Sequence, residues 1–376
     1  MTFTKDDLKK FQAENLDQKM DRSFAKIGEW FSRWNGEVYV SFSGGKDSTV
    51  LADLCARWCS VVGKTLYLLF VDTGLEFPEI KKHVKFFAQW LRDKYKIEVV
   101  LDIVRPEMRF DEVIKKYGYP IISKQIANKI YYAKKNIADG NFNTLRVKAV
   151  LGNLTKDDGE KSFFCCEKYA PLLDVDFDIS SICCDIMKKD PAKKYEERTG
   201  RKPIIATMAV ESLSRKNEWL KEGCNAFNGK NPKSKPISFW LNQDILTYIK
   251  RYKIPLCSVY GDIIYEILPD QLRIEDFGIN DCGTEMLCTT GCDRTGCIFC
   301  GFGCIQEDEP RFVRLKNTHP RQYEYCIGGG EYNEHGKWQP NKKGLGMGHV
   351  FDTLNNIFGD DFIKYKGEKN EHQIQT

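Results

Sequence analysis

Three apolar runs of strand length, Val38-Tyr39-Val40-Ser41-Phe42, Leu66-Tyr67-Leu68-Leu69-Phe70-Val71 and Val99 to Val104, recur with helical stretches between them, and this rhythm narrows the possible folds more than any other feature. Near-continuous apolar strands alternating with helices predict an α/β fold: a parallel sheet with right-handed crossovers and helices on both faces. The helical runs are Thr49 to about Cys59 and Pro78 to Lys94, the second opening with proline at its first turn. Before the first strand, Leu8, Phe11, Phe24, Ile27, Trp30 and Phe31 recur at helical spacing, predicting one or two helices that lead into the core. Later, residues 120–200 read as mostly helical and charged, Lys202 to Val210 as a further strand, and Leu241 to Tyr252 as an amphipathic helix. Beyond Gly261 cysteine and glycine become frequent, and periodicity fades until Val350 to Ile363. The expected layout is a helical lead-in at 1–36, an α/β domain at 37–260 and a cysteine-rich C-terminal domain at 261–376.

In a sheet of this kind ligands gather at the carboxyl ends of the strands, where Ser43 and Asp72 both fall. The turn after the first strand reads Ser43-Gly44-Gly45-Lys46-Asp47-Ser48 and opens a helix. Amides of Gly44 and Gly45 can approach phosphate oxygens because no Cβ intervenes, and the positive end of the helix dipole points at the same place. Lys46 adds a full charge. Ser43 and Ser48 supply hydroxyl donors, and Asp47 in the first helical turn suits capping or a magnesium-bound water. Adjacent glycines followed at once by lysine separate this loop from both G-x-x-x-x-G-K-[ST] and G-x-G-x-x-G.

Composition narrows the setting. With 376 residues, 42% of them hydrophobic and 29% charged, the chain can bury two domain cores. Lys plus Arg number 57 against 53 Asp plus Glu, a net +4 that does not by itself announce a nucleic-acid binder. The local runs Lys134-Lys135 and Lys230 to Lys235 read as solvated faces. The N-terminus lacks a signal-peptide pattern, and no window approaches the ~18 apolar residues that span a bilayer, so a cytoplasmic protein without a membrane partner is expected. Fifteen cysteines are many for a reducing compartment, where clustered thiols more often hold metal than form disulfides. Cys55, Cys59, Cys224, Cys257 and Cys326 read as small apolar residues. The others fall in the pairs Cys165-Cys166 and Cys183-Cys184 and in the window Cys282, Cys288, Cys292, Cys297, Cys300 and Cys304, which is dense enough to chelate zinc or a cluster unaided.

Together the hexapeptide Ser43 to Ser48 and the run Phe70-Val71-Asp72-Thr73-Gly74-Leu75-Glu76-Phe77-Pro78-Glu79 resemble the PP-loop ATP pyrophosphatases and phosphoadenosine phosphosulfate (PAPS) reductases, the adenine nucleotide α-hydrolase-like proteins. The resemblance implies an adenine nucleotide as partner, with Asp72 and Thr73 contacting it. Cys183-Cys184, with Lys188 and Pro191, and then Cys297-Ile298-Phe299-Cys300 resemble the cysteine pair plus C-x-x-C that holds a [4Fe-4S] cluster in assimilatory adenylyl-sulfate reductases, and four thiolates match the ligand count. Zinc is the alternative metal, and Cys165-Cys166 is a second candidate for the paired position. Thr207 to Arg215 resembles the family's segment ending in arginine, which implies a phosphate or sulfate contact for Arg215. Lys235-Pro236-Ile237-Ser238-Phe239-Trp240 resembles the segment that precedes the family's C-x-x-C, so the likeness runs over roughly residues 37 to 305.

The chain also departs from that family. Thiol-type reductases carry a nucleophilic cysteine in a Glu-Cys-Gly-Leu/Ile-His motif, which is absent here; Cys326, the only cysteine after Cys304, lies between Tyr325 and Ile327-Gly328-Gly329-Gly330. An intact Ser-Gly-Gly-Lys-Asp-Ser loop belongs to members that use ATP and release pyrophosphate, and its combination with a cluster resembles the sulfur-transfer ATPases of DNA phosphorothioation. The resemblance thus implies ATP with Mg2+ cleaved to AMP and pyrophosphate to activate an acceptor for sulfur transfer. Lys46 and Arg215 would be catalytic, Lys46 neutralising the β and γ phosphates as the α-β bond breaks. A sulfur-donor protein and a nucleic-acid acceptor are the partners this reading calls for. One alternative is a PAPS or adenylyl-sulfate reductase that takes electrons from thioredoxin and releases sulfite; another is a non-catalytic nucleotide-sensing or nucleic-acid-associated accessory protein.

Overall fold

A computed structural model describes residues 3–229, 231–267, 285–307 and 309–367; Lys230 and Cys282 lie outside the described residues. The chain forms two compact units interleaved in sequence, the first drawn from residues 1–72, 76–105 and 191–296, the second from 73–75, 106–190 and 297–376.

The first unit is built on a six-stranded sheet in the order Val99–Val104, Leu66–Val71, Val38–Ser41, Lys202–Ile204, Lys233–Ser234, Asn225–Ala226. Its first five strands run parallel and the last antiparallel. Chain order steps outward from Val38–Ser41 to Val99–Val104 and then returns to the other side of Val38–Ser41. The topological switch point, where open α/β sheets bind ligands, thus falls at the carboxyl end of that strand.

Side-chain alternation explains why the sheet is covered twice. Tyr39, Tyr67 and Leu69 share one face with Tyr195 and Ala192 of the helix Asp190–Thr199, where Tyr39 donates to Glu196 at 2.8 Å and Tyr195 to Asp102 at 2.7 Å. The alternate residues Val38, Val40, Leu66 and Leu68 are fully buried on the other face. Helices Lys46–Val62 and Pro78–Tyr95 pack with the sheet, and Leu16–Arg33 and Asn242–Tyr252 pack against Lys46–Val62. Two N-terminal helices form, Lys5–Gln12 and Leu16–Arg33, because Thr4 with Asp7 and Asn15 with Gln18 make capping boxes that satisfy their first amides. The strand expected to run from Lys202 to Val210 stops at Ile204. Its neighbour Lys233–Ser234 has only two residues to offer, and the Glu211 carboxylate takes the Met208 amide at 2.7 Å, which starts a turn instead.

The second unit is largely helical. Its helices include Lys124–Ala138, Leu145–Val150, Arg311–Thr318, Pro320–Ile327 and Met347–Phe358. Ile121–Ile122 pairs in parallel with Gly301–Phe302, which fastens the C-x-x-C segment to the entry of the helix Lys124–Ala138. Phe312 meets Phe351 at 4.7 Å, and the buried Tyr119 hydroxyl donates to the Leu345 carbonyl at 2.8 Å.

Candidate functional site

Gly44 and Gly45 turn the chain from the strand Val38–Ser41 into the helix Lys46–Val62. Gly44 sits at φ +75°, and a Cβ there would lie 2.8 Å from Val84 Cγ2 and 3.0 Å from Ile80 Cγ2, so both conformation and space require glycine. A Cβ on Gly45 would crowd Thr295 Oγ1 at 3.1 Å and the Tyr260 hydroxyl at 3.2 Å. Gly45 is the N-cap residue and has no side chain to cap with, so the positive end of a 17-residue helix meets this turn uncapped by it.

Around the turn the polar groups converge. The Ser43 and Ser48 hydroxyls lie 3.1 Å apart, and Ser48 donates to the Gly45 carbonyl at 2.9 Å. The Lys46 amide donates to the Tyr260 hydroxyl at 3.0 Å, which in turn sits 2.7 Å from Thr295 Oγ1. Lys46 is only 2% exposed; its ammonium donates to the Asp293 carbonyl at 2.6 Å and lies 3.6 Å from that residue's carboxylate. Burial pushes the Asp47 carboxyl up, opposed by the charges of Lys46, Arg294 and Arg215, and its Oδ1 has no hydrogen-bond partner among the described residues.

Arg215 is thus brought into the electrostatic field of the loop, as is Arg294. Both are held by one carboxylate, since Arg215 Nη1 pairs with Glu211 Oε2 and Arg294 Nη1 lies 3.8 Å from Glu211 Oε1. Asp72, just past the neighbouring strand, is paired with Lys81 at 2.5 Å and Arg105 at 3.3 Å. Thr73 is buried, and its hydroxyl accepts from the Leu75 amide at 3.1 Å. Tyr260, Asp293, Arg294 and Thr295 were not among the residues singled out from the sequence. They lie more than 200 residues from the loop, and the one sequence signal in Cys292-Asp293-Arg294-Thr295 is Cys292.

Cys183, Cys184, Cys297 and Cys300 all belong to the second unit and influence one another's ionisation. A hydrogen bond between Cys183 and Cys184 lowers the Cys184 thiol, helped by the charges of Lys124 and Lys188, while the same bond and burial hold Cys183 well above the usual thiol range. Burial, then the neighbouring Cys297, pushes Cys300 up to about 11. The Cys300 amide donates to the Cys297 carbonyl at 3.0 Å, closing the C-x-x-C turn, and Arg311 anchors the Cys300 carbonyl at 2.9 Å. Four neighbouring thiols beside lysines suit an anionic four-thiolate centre in donor type and in charge. Their side chains do not form a closed cage, for no group of three or more His, Cys, Asp or Glu among the described residues is gathered as metal ligands.

Of the other cysteines, Cys165 Sγ donates to the Leu154 carbonyl at 3.3 Å and burial raises the Cys166 thiol. Cys288 and Cys292 belong to the first unit, while Cys304 is buried in the second. Cys55, Cys59, Cys224, Cys257 and Cys326 are buried, as small apolar residues would be. No helix among the described residues is long and apolar enough to cross a membrane.

Residues 37–146 match the family model of the phosphoadenosine phosphosulfate reductase domain. Two curated relatives from Methanocaldococcus jannaschii are similar: Uncharacterized protein MJ0066, 40% identical over 225 residues (59% of this chain, 33% of that one), and Uncharacterized protein MJ0973, 33% identical over 121 residues (32% and 27%). The matched stretches thus span about a third or less of those relatives' length. The solved structure of NMN synthetase from Francisella tularensis aligns at 12% identity and a TM-score of 0.30 over 64% of this chain and 72% of that one, a likeness that carries no functional weight.

Proposed function

Taking residues 37–146 as a phosphoadenosine phosphosulfate reductase-type domain of the PP-loop superfamily, we propose that this nucleotide-binding enzyme uses ATP, cleaves it to AMP and pyrophosphate, and so activates an acceptor for sulfur transfer. The observation that carries the reading is the buried Lys46 beside the glycine turn at the switch point of the sheet. A lysine held there can exchange the Asp293 carbonyl for β- and γ-phosphate oxygens. Ser43, Gly44, Gly45 and Ser48 donate to the same oxygens. The orphaned Asp47 Oδ1 suits a water of the Mg2+ that accompanies the triphosphate. Asp72 and Thr73 would contact the nucleotide, and Arg215 and Arg294 would stabilise charge on the departing phosphates.

In this reaction an acceptor oxygen bonds to the α-phosphorus as the bond to the α-β bridging oxygen breaks, and that electron pair leaves with pyrophosphate. A sulfur nucleophile from a donor protein then displaces AMP. The intact Ser43-Gly44-Gly45-Lys46-Asp47-Ser48 loop supports this course over reduction of a sulfonucleotide with thioredoxin. Cys183, Cys184, Cys297 and Cys300 would hold a [4Fe-4S] cluster, with zinc as the competing metal. A bound cluster would supply electrons or a Lewis-acidic iron, and Lys124 and Lys188, which act on the Cys184 thiol, would answer its negative charge.

Incubation of anaerobically purified protein with Mg2+, a single-stranded oligonucleotide and sulfide as trial acceptor and sulfur source, and ATP labelled in parallel at the α and the γ phosphate, resolved by chromatography, tests the assignment. AMP and pyrophosphate are expected in equal amounts and should vanish in Lys46→Ala. Sulfite released from adenylyl sulfate or PAPS, with ATP left intact, would replace this reading by the reductase. Tight ATP binding without turnover would replace it by the nucleotide-sensing role.

A further inference from the structure

The second unit contains a cavity of about 610 Å³ to which the loop of the first unit contributes nothing. Its walls come from the helices Lys124–Ala138 and Leu145–Val150, the loop carrying Phe164 and the turn after Ser181. Its charged lining residues are Lys129, Arg146 and Lys189 against Asp185, while Lys124 is taken up by the Cys184 thiol that also lines it. Lys189 pairs with that carboxylate at 2.6 Å. Lys129 donates to the Phe164 carbonyl at 2.6 Å, a neutral partner that leaves its charge unbalanced, and Arg146 lies over the Tyr132 ring at 4.2 Å. Aromatic surface stands beside this charge: Phe164 is 57% exposed and its neighbour Phe163 is 92% exposed. A second cavity of about 340 Å³ shares Lys129 and Phe164 with the first and extends past Phe163 and Lys168, so cations and open rings follow one track.

Two adjacent open rings rimmed by cations make the kind of exposed apolar patch that marks a binding site. Phosphate groups answer the cations, and a flat base answers the rings. We propose that this track is a second ligand site for phosphate-and-base chemistry, a nucleotide either free or within a single strand of nucleic acid. The volume suits a ligand of nucleotide size. Arg146 and Lys129 neutralise phosphate, and Phe164 and Phe163 stack the base. The site is independent of the triphosphate reading, because Lys46 takes no part in it.

The test uses the full chain in fluorescence anisotropy with a labelled single-stranded oligonucleotide of about ten nucleotides, and separately with labelled AMP. Arg146→Glu combined with Lys129→Glu should weaken binding at least tenfold and flatten its salt dependence. Phe164→Ala should weaken it roughly five- to hundredfold with little change in salt slope. Lys46→Ala should leave this binding intact. Tight strand binding identifies the strand as the source; AMP binding that survives Lys46→Ala and is lost in Arg146→Glu identifies the free nucleotide. The proposal is overturned if neither probe binds at low salt, or if Phe164→Ala and Arg146→Ala, folded as judged by circular dichroism, bind both probes as the parent does.

Discussion

At the scale of single residues, the loop was readable because each of its properties is local. Adjacent glycines after an apolar strand announce a turn that only glycine can make, and the positive φ of Gly44 with its crowding by Val84 and Ile80 is the structural form of that signal. Gly44→Ala is therefore expected to lower the melting temperature measurably, by about 1–3 kcal/mol of stability, and to abolish ATP binding by calorimetry. Lys46→Ala should weaken ATP binding by about 1.5–3 kcal/mol, the worth of a hydrogen bond to a charged group; unchanged affinity in titration calorimetry would remove Lys46 from the phosphate site. What the sequence did not disclose is that Tyr260, Asp293 and Thr295 close around the same amide and ammonium. No spacing rule joins residues that meet only after the whole sheet has been laid down.

At the scale of elements, alternation of apolar strands and helices disclosed the sheet through residue 104, where every strand is long enough to carry its own pattern. It failed beyond Ile204, because the length of a short strand is set by the partner it finds. Helix packing rests on a polar anchor that periodicity does not reveal. The fully buried Asp53 carboxylate accepts from Tyr248 at 2.6 Å, Tyr95 at 2.9 Å and Lys94 at 3.1 Å, tying the helix Lys46–Val62 to two of its neighbours, Asn242–Tyr252 and Pro78–Tyr95. Asp53→Ala strands these donors and should cost roughly 3 kcal/mol or more in urea denaturation.

His83, on the helix Pro78–Tyr95, is buried with no partner for Nε2 among the described residues, and burial lowers its ionisation to about 4. The unfolded chain therefore binds a proton between about pH 6.5 and 4 that the folded chain refuses. Its contribution to stability is complete above pH 6.5 and is lost as pH falls toward 4. Denaturation series across that range should show a slope of close to one proton that His83→Leu removes.

For the molecule as a whole, the sequence revealed that paired and spaced cysteines belong together but not which unit owns them. The structure assigns Cys183, Cys184, Cys297 and Cys300 to one unit and leaves Cys288 and Cys292 in the other. If iron and sulfide occupy the four thiols, they bind the folded state alone and must stabilise it. Anaerobic reconstitution should raise the melting temperature and add absorbance near the visible charge-transfer region, both lost in Cys183→Ser. Zinc uptake with the same stabilisation and no colour would identify the other metal.

The interleaving of the two units also bears on how the protein is made. During synthesis, the sheet begun at Val38 must wait for its inner neighbour at Lys202, its far edge at Asn225 and the strand at Lys233 that joins them, while the intervening segment 106–190 emerges and in turn awaits residues beyond 297. Neither half can be finished on the ribosome before most of the other has been translated, so the nascent chain keeps unsatisfied sheet edges, which are prone to aggregate, for much of its production.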